Sequence, residues 1–159
     1  MAKKVCIYGI MAALCIVLGY VEHLIPFDFI APGIKLGLAN SVAVLLVAKG
    51  DIKGAFGVNI VRILLSALLF SSPSALIYSL SGGLISLLVM CIFSKIKSIG
   101  IIGFSVLGAV THNLTQLLCA ALMLGGGVWY YLPFLLLAAA ISGFATGTAA
   151  QLVFKKIKF

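Results

Sequence analysis

Apolar residues come in long runs, and the polar residues between them mark where helices must end. The first run extends from Val5 to about Leu24. The connection that follows, 25–33, carries Pro26, Pro32 and Gly33, which break a helix. A second run, 34–48, is short for a full crossing and ends at the polar turn Lys49 to Lys53. The third covers 54–70 and stops at Ser71, Ser72, Pro73 and Ser74. The fourth covers 75–94, before Lys95 and Lys97. No Asp, Glu, Lys or Arg occurs from Ser98 to Phe154, too long a stretch for one helix, and Gly125-Gly126-Gly127 is the natural break. A span needs about 20 apolar residues. The pattern therefore predicts an all-α integral membrane bundle of six transmembrane helices in one domain. The spans are about 5–24, 34–48, 54–70, 75–94, 99–124 and 129–154, the second short or partly re-entrant.

Composition sharpens this reading. Of 159 residues, 64% are apolar or aromatic and 9% charged, where a soluble domain carries about a quarter charged residues. This excludes a soluble enzyme, a disordered tail and a secreted disulfide scaffold. The net charge of +8 would suggest nucleic acid in a soluble protein; here the lysines flank apolar runs, so no nucleic-acid partner is expected. Lys3 and Lys4 before an apolar run mimic a secretory signal, but the run continues to Tyr20 without a clear cleavage site and reads as a retained first helix. If six helices alternate, Lys3, Lys4, Lys49, Lys53, Lys95, Lys97, Lys155, Lys156 and Lys158 share one side, and Glu22, Asp28 and Lys35 the other. The positive-inside rule then places both termini in the cytoplasm of a cell membrane, as in a bacterial plasma membrane. Tyr20, Tyr78, Trp129, Tyr130 and Tyr131 fall at the outer interface, where amphipathic rings sit.

Ionisable groups at mid-depth are functional candidates by default, because hydrocarbon penalises them by several kcal/mol. Arg62 lies halfway along the third run, with Asn59 and Ser66 on the same helix face. His112 lies halfway along the fifth, with Asn113 adjacent and Gln116 one turn on. Parallel directions put Arg62 and His112 at similar depth. Asn40 and Lys35 lie nearer the outer surface. The 3 acids, Glu22, Asp28 and Asp51, sit at helix ends or in connections, which leaves Arg62 without a carboxylate at its own depth. Two readings stand: Arg62 holds an anionic ligand, or it reaches outward to Glu22 or to backbone carbonyls. His112 is either pocket-lining or a neutral histidine bonded to a neighbouring helix. Lys35 is either a mouth residue or a snorkelling cation.

Small residues mark two further surfaces. Gly9 and Ala13, and Gly143 and Gly147, have the spacing that lets helices approach closely; packing within the bundle is favoured over a docking face. The cysteines Cys6, Cys15, Cys91 and Cys119 have no close pair or metal spacing and read as buried inert thiols. Asn113-Leu114-Thr115 matches a glycosylation acceptor that mid-membrane placement makes meaningless. There is no P-loop, no Ser/His/Asp arrangement, no aspartate-rich pair for magnesium and no metal cluster. A catalytic role and a cofactor are not expected.

Four blocks carry a resemblance: PGIKLGLAN at 32–40, VRILLS at 61–66, YSLSGG at 78–83 and GAVTHNLTQ at 108–116. In this order they resemble the membrane family named heptaprenyl diphosphate synthase component I, also called the Gx transporter family, over nearly the whole chain. That family is similar to the substrate-binding S components of energy-coupling factor (ECF) transporters. The likeness implies a six-helix protein that captures a small molecule from outside and docks on a transmembrane coupling subunit served by two ATPases. The 26–33 connection would be its lid. Arg62 and Lys35 would supply positive charge, and Asn40, Asn59, Ser66, His112, Asn113 and Gln116 hydrogen bonds. Gly9 and Ala13 would match the docking motif of the first helix, with glycine in place of its first alanine. The family name points to an isoprenoid or quinone-related ligand. It also implies a rival role, an accessory membrane subunit of polyprenyl diphosphate or menaquinone synthesis, since the aspartate-rich motifs of a synthase are missing from the chain.

Overall fold

In a computed structural model of the chain, the structure describes residues 2–24, 37–70 and 73–156. Six α-helices follow one another: α1 (Ala2–Leu24), α2 (Asn40–Ala48), α3 (Ile52–Phe70), α4 (Pro73–Phe93), α5 (Ile101–Leu124) and α6 (Leu132–Lys156). There is no strand among the described residues. A short 3-10 turn, Gly126–Tyr131, links α5 to α6. All but α2 are long and apolar enough to cross a membrane. Side chains such as Ile10 (69% exposed), Leu68 (82%) and Leu122 (85%) cover the outside. Apolar surface on that scale is stable only against lipid, and the chain is a multi-pass membrane protein.

Helix ends follow from local chemistry. Gly50 has φ 75°, which glycine adopts without strain. The Gly50 and Asp51 N–H groups bond back to Val47 and Leu46 oxygens at 2.9 and 3.0 Å, a Schellman closure of α2. Asp51 then caps α3, its Oδ1 accepting from Gly54 N–H at 3.0 Å. Its other oxygen accepts from Tyr8 Oη at 2.5 Å, tying α1 to the α2–α3 turn. Gly54 leaves the room, because a Cβ there would lie 2.6 Å from the Tyr8 ring. Gly125, at φ 90°, ends α5. The sixth helix therefore starts at Leu132, and Trp129, Tyr130 and Tyr131 belong to the 3-10 turn before it.

The long helices stand in the order α1, α3, α4, α5, α6, each packed on the next, and α2 packs against all five. The core shows their directions. Tyr8, Ala12 and Cys15 from the first half to the middle of α1, Ala55 and Val58 from the first part of α3 and Phe104 from the start of α5 meet residues from the last parts of α4 and α6, namely Leu87, Met90, Cys91 and Ala150. Val42 to Val47 of α2 lie among them, all buried. Neighbours in sequence therefore alternate in direction, and Lys3, Lys4, Lys49, Lys53, Lys95, Lys97, Lys155 and Lys156 gather at one end. The second span is corrected: its helix among the described residues begins at Asn40, not 34, and nine residues reach about 14 Å, under half the apolar thickness. The 26–33 connection and Lys35 lie outside the described residues.

The two small-residue spacings behave differently. A Cβ on Gly143 would lie 2.7 Å from Val106 Cα, and one on Gly147 2.9 Å from Ile102 Cα. Glycine there lets the α5 and α6 backbones touch, and Ser105 Oγ donates across the seam to Gly143 O at 2.9 Å. Gly9 and Ala13 are exposed, and a Cβ on Gly9 would meet nothing within 4 Å. The packing expectation is thus corrected for the first helix and met on the last. The thiol expectation is met by Cys15 and Cys91 and corrected for Cys6, which is exposed, and Cys119, which is half-buried.

Gly143→Ala should lower bundle stability by about 1–3 kcal/mol through overpacking against backbone, read as a drop in unfolding midpoint in detergent, whereas Gly9→Ala should leave it unchanged. The Asp51 carboxyl lies below its ordinary value of 3.8, chiefly because Tyr8 donates to it, with Gly54 N–H, Lys4 and Lys49 adding to the effect against partial burial. Its contribution is therefore present above pH 3.8 and lost as pH falls through the lower folded value. Tyr8→Phe should lower the unfolding midpoint in detergent at neutral pH, with the difference from the parent protein shrinking in acid.

Candidate functional site

Polar side chains meet at one level of the bundle, around a pair of glycines on α4. Asn59, on α3 and 4% exposed, donates from Nδ2 to Gly83 O at 3.1 Å. Its Oδ1 accepts from an Arg62 Nη at 3.0 Å. One amide thus fastens α3 to α4 and holds the arginine one turn away. The approach is close because Gly83 has no side chain: a Cβ would lie 2.6 Å from Ile63 Cδ1 and 3.3 Å from Asn59 Nδ2. On the next residue the same device serves α5. A Cβ on Gly82 would lie 3.1 Å from both the His112 ring and Gln116 Cγ.

Arg62 and His112 therefore share a level, as expected from sequence, but their helices do not touch, because α4 stands between α3 and α5. Successive residues on a helix point about 100° apart, so Gly82 and Gly83 form a corner with Asn59 on one side and His112 on the other. Towards the end away from the lysines, Ser81 Oγ and Cys119 Sγ lie 3.3 Å apart, which continues the α4–α5 seam.

The Arg62 Nε is buried and makes no hydrogen bond, on a helix that packs against α1. Cys15 and Glu22 are seven residues apart and share one helix face. Glu22 is buried, at 8% exposure, and accepts a hydrogen bond from Gly37 N–H at the lead into α2. Glu22, which reads as interfacial in sequence, is therefore enclosed: the fold carries the end of α1 over the start of α2.

The other expected residues sort by location. Asn40 is the first residue of α2, with its N–H bonded to Gly37 O at 2.8 Å, and so joins the Glu22 side. Asn113 faces away from α4 and donates to Leu135 O of α6 at 3.1 Å; it is a strut between helices. Ser66 lies one turn beyond Arg62, half-buried. Sequence reasoning weighed Glu22 only as a possible partner of Arg62 and left out Gly82 and Gly83. A glycine pair inside an apolar helix, and the spacing Tyr8, Cys15, Glu22 along one face of α1, were the available signals. Among the described residues no group of His, Cys, Asp or Glu could hold a metal.

Residues 11–153, which include every residue of this polar belt, match the family model described as heptaprenyl diphosphate synthase component I, and the chain belongs to that family. No curated protein and no solved structure matches the chain.

Asn59→Leu should destabilise the bundle by about 1–3 kcal/mol, because it removes the bond that ties α3 to Gly83 O and takes the acceptor from the Arg62 Nη. Asn59→Asp keeps an acceptor for Arg62 but no donor for Gly83 O. It should fall between the two, as thermal unfolding in detergent would measure.

Proposed function

We propose that this protein is the substrate-binding membrane component of an uptake system whose ATP hydrolysis is supplied by partner subunits. The observation that carries the reading is the polar belt. Arg62, Asn59, His112 and Gln116 lie at one level of the bundle, next to two glycines that keep α4 bare. Polar groups are costly at that depth, and a bundle that needed only stability would do better with apolar packing there. Above the start of α2 the five long helices continue while α2 does not, so the belt lies on the side that faces away from the lysines. The positive-inside rule makes that side external, which puts both termini in the cytoplasm and the belt within reach of a molecule arriving from outside.

Gly9 and Ala13 support the same reading. They are small, exposed and unused in packing, and would offer a coupling subunit a close approach to α1. In this proposal the chain binds and the partners do the chemistry. No step is assigned to it as an enzyme, and the acids among the described residues are engaged apart, Glu22 at the lead into α2 and Asp51 in the α3 cap.

A second reading rests on the family description. A component of heptaprenyl diphosphate synthesis would anchor or activate a soluble synthase at the membrane, with the same face of α1 as its contact.

Native mass spectrometry of the purified protein should find a retained small molecule. Arg62→Gln should weaken its binding by about tenfold or more, a loss of about 1.4 kcal/mol, at a smaller cost to stability. Equal retention by parent and variant would sink the site. Pull-down of a coupling subunit and ATPases, blocked by Gly9→Leu, supports transport; recovery of a soluble prenyl synthase instead supports the second reading.

A further inference from the structure

The lysine end of the bundle repeats one local pattern from helix to helix. Lys3 and Lys4 are exposed in the first turn of α1, and the exposed Val5 follows them. At the start of α3, exposed Ile52 adjoins exposed Lys53. In the link from α4 to α5, exposed Lys95 and Lys97 enclose the exposed Ile96, close behind the exposed Ile92. At the end of α6, exposed Leu152, Val153 and Phe154 run directly into exposed Lys155 and Lys156. The helices stand in the row α1, α3, α4, α5, α6, so cations occur along its whole length, each next to an apolar side chain that faces outward. Asp51 is the acid at this end among the described residues, and Tyr8 and Gly54 already engage its two oxygens.

We propose that this end is a collar for anionic phospholipid. The lysine ammonium groups hold the headgroup phosphates of neighbouring lipids, and the exposed apolar side chains beside them lie along the first carbons of the acyl chains. Two features select a lipid over the acidic face of a soluble protein. The cations stand on separate helices instead of forming one patch, and each marks the boundary between an apolar helix surface and the polar end of the bundle. A lysine stem can lie along such a surface and lift its charge to the level of the phosphates. Lysines next to a membrane attract anionic lipids, and the attraction fades within a Debye length. The collar does not depend on whether the polar belt binds a substrate. It also goes beyond orientation, since it makes the stability of the folded bundle depend on the charge of the lipid around it.

Thermal unfolding of the purified full chain in a neutral detergent tests this. Phosphatidylglycerol should raise the midpoint by about 3 °C or more, and the rise should shrink as sodium chloride is added. Phosphatidylcholine with the same acyl chains should leave the midpoint unchanged, and so should soluble glycerol 3-phosphate, which has the phosphate without the chains. A variant with Lys95→Gln, Lys97→Gln, Lys155→Gln and Lys156→Gln changes exposed side chains alone and should lose about half of the rise. The same four positions changed to Arg should keep it. An equal rise with phosphatidylcholine, a rise with glycerol 3-phosphate alone, or a full rise in the glutamine variant overturns the proposal. A rise with soluble polyglutamate and none with phosphatidylglycerol overturns it as well, and makes this end a docking surface for an acidic protein.

Discussion

Within a lipid-embedded bundle, every polar group that enters the interior needs a partner inside the protein, since neither hydrocarbon nor bulk water will supply one. Asn59 meets this demand for two helices at once, donating to a backbone oxygen of α4 and accepting from Arg62. The arrangement needs α4 to come close, and Gly83 provides the closeness. Gly82 repeats the device for the His112 side of α5. Thus the level at which α3, α4 and α5 meet follows from where one amide and two missing side chains fall along the chain. The same hydrogen bonds that hold the bundle also decide which groups a ligand would find.

The short α2 has a complementary role. It is buried along most of its length and packs on every other helix, so it fills the lysine end with aliphatic side chains. There the core is continuous and apolar, whereas around Arg62 it is polar. Asp51 closes the arrangement at the turn, capping α3 while Tyr8 of α1 donates to it. At the other end of α1, Glu22 engages the lead into α2. The peripheral first helix is therefore fastened at two heights by hydrogen bonds, and between them by the contact of Ala12 and Cys15 with the core. Its outer face, with Gly9 and Ala13, is left to the surroundings.

Legibility of the candidate site varied by residue. Asn59 and Arg62 could be read as one helix face, because residues three apart on a helix are neighbours whatever surrounds them. His112 and Gln116 follow from the same rule, and both do meet Gly82. The partner of Asn113 was not legible, because adjacency in sequence says nothing about which neighbouring helix a side chain meets; it donates to α6. The burial of Glu22 was not legible because distance along the chain measured its depth as if α1 stood alone, and enclosure by the start of α2 is a property of the assembled bundle. Cys6 and Cys119 were read as buried from their apolar surroundings in sequence, but in a membrane protein an apolar residue is as much at home against lipid as in the core.

Sequence alone determined the class, the helical segments, the clustering of lysines at one end and the pairs of polar residues on single helices. These depend on hydropathy, helical period and glycine or proline at the breaks, which act within a few residues of each other. Tertiary structure decided which helix faces meet: that α4 separates Arg62 from His112, that Gly143 and Gly147 pack while Gly9 does not, and that Glu22 is enclosed at the lead into α2. The physical reason is that an apolar helix in lipid has little amphipathic pattern to betray its inner face. Side-chain volume and hydrogen-bond geometry between distant segments choose the face, and those are settled only when the segments come together.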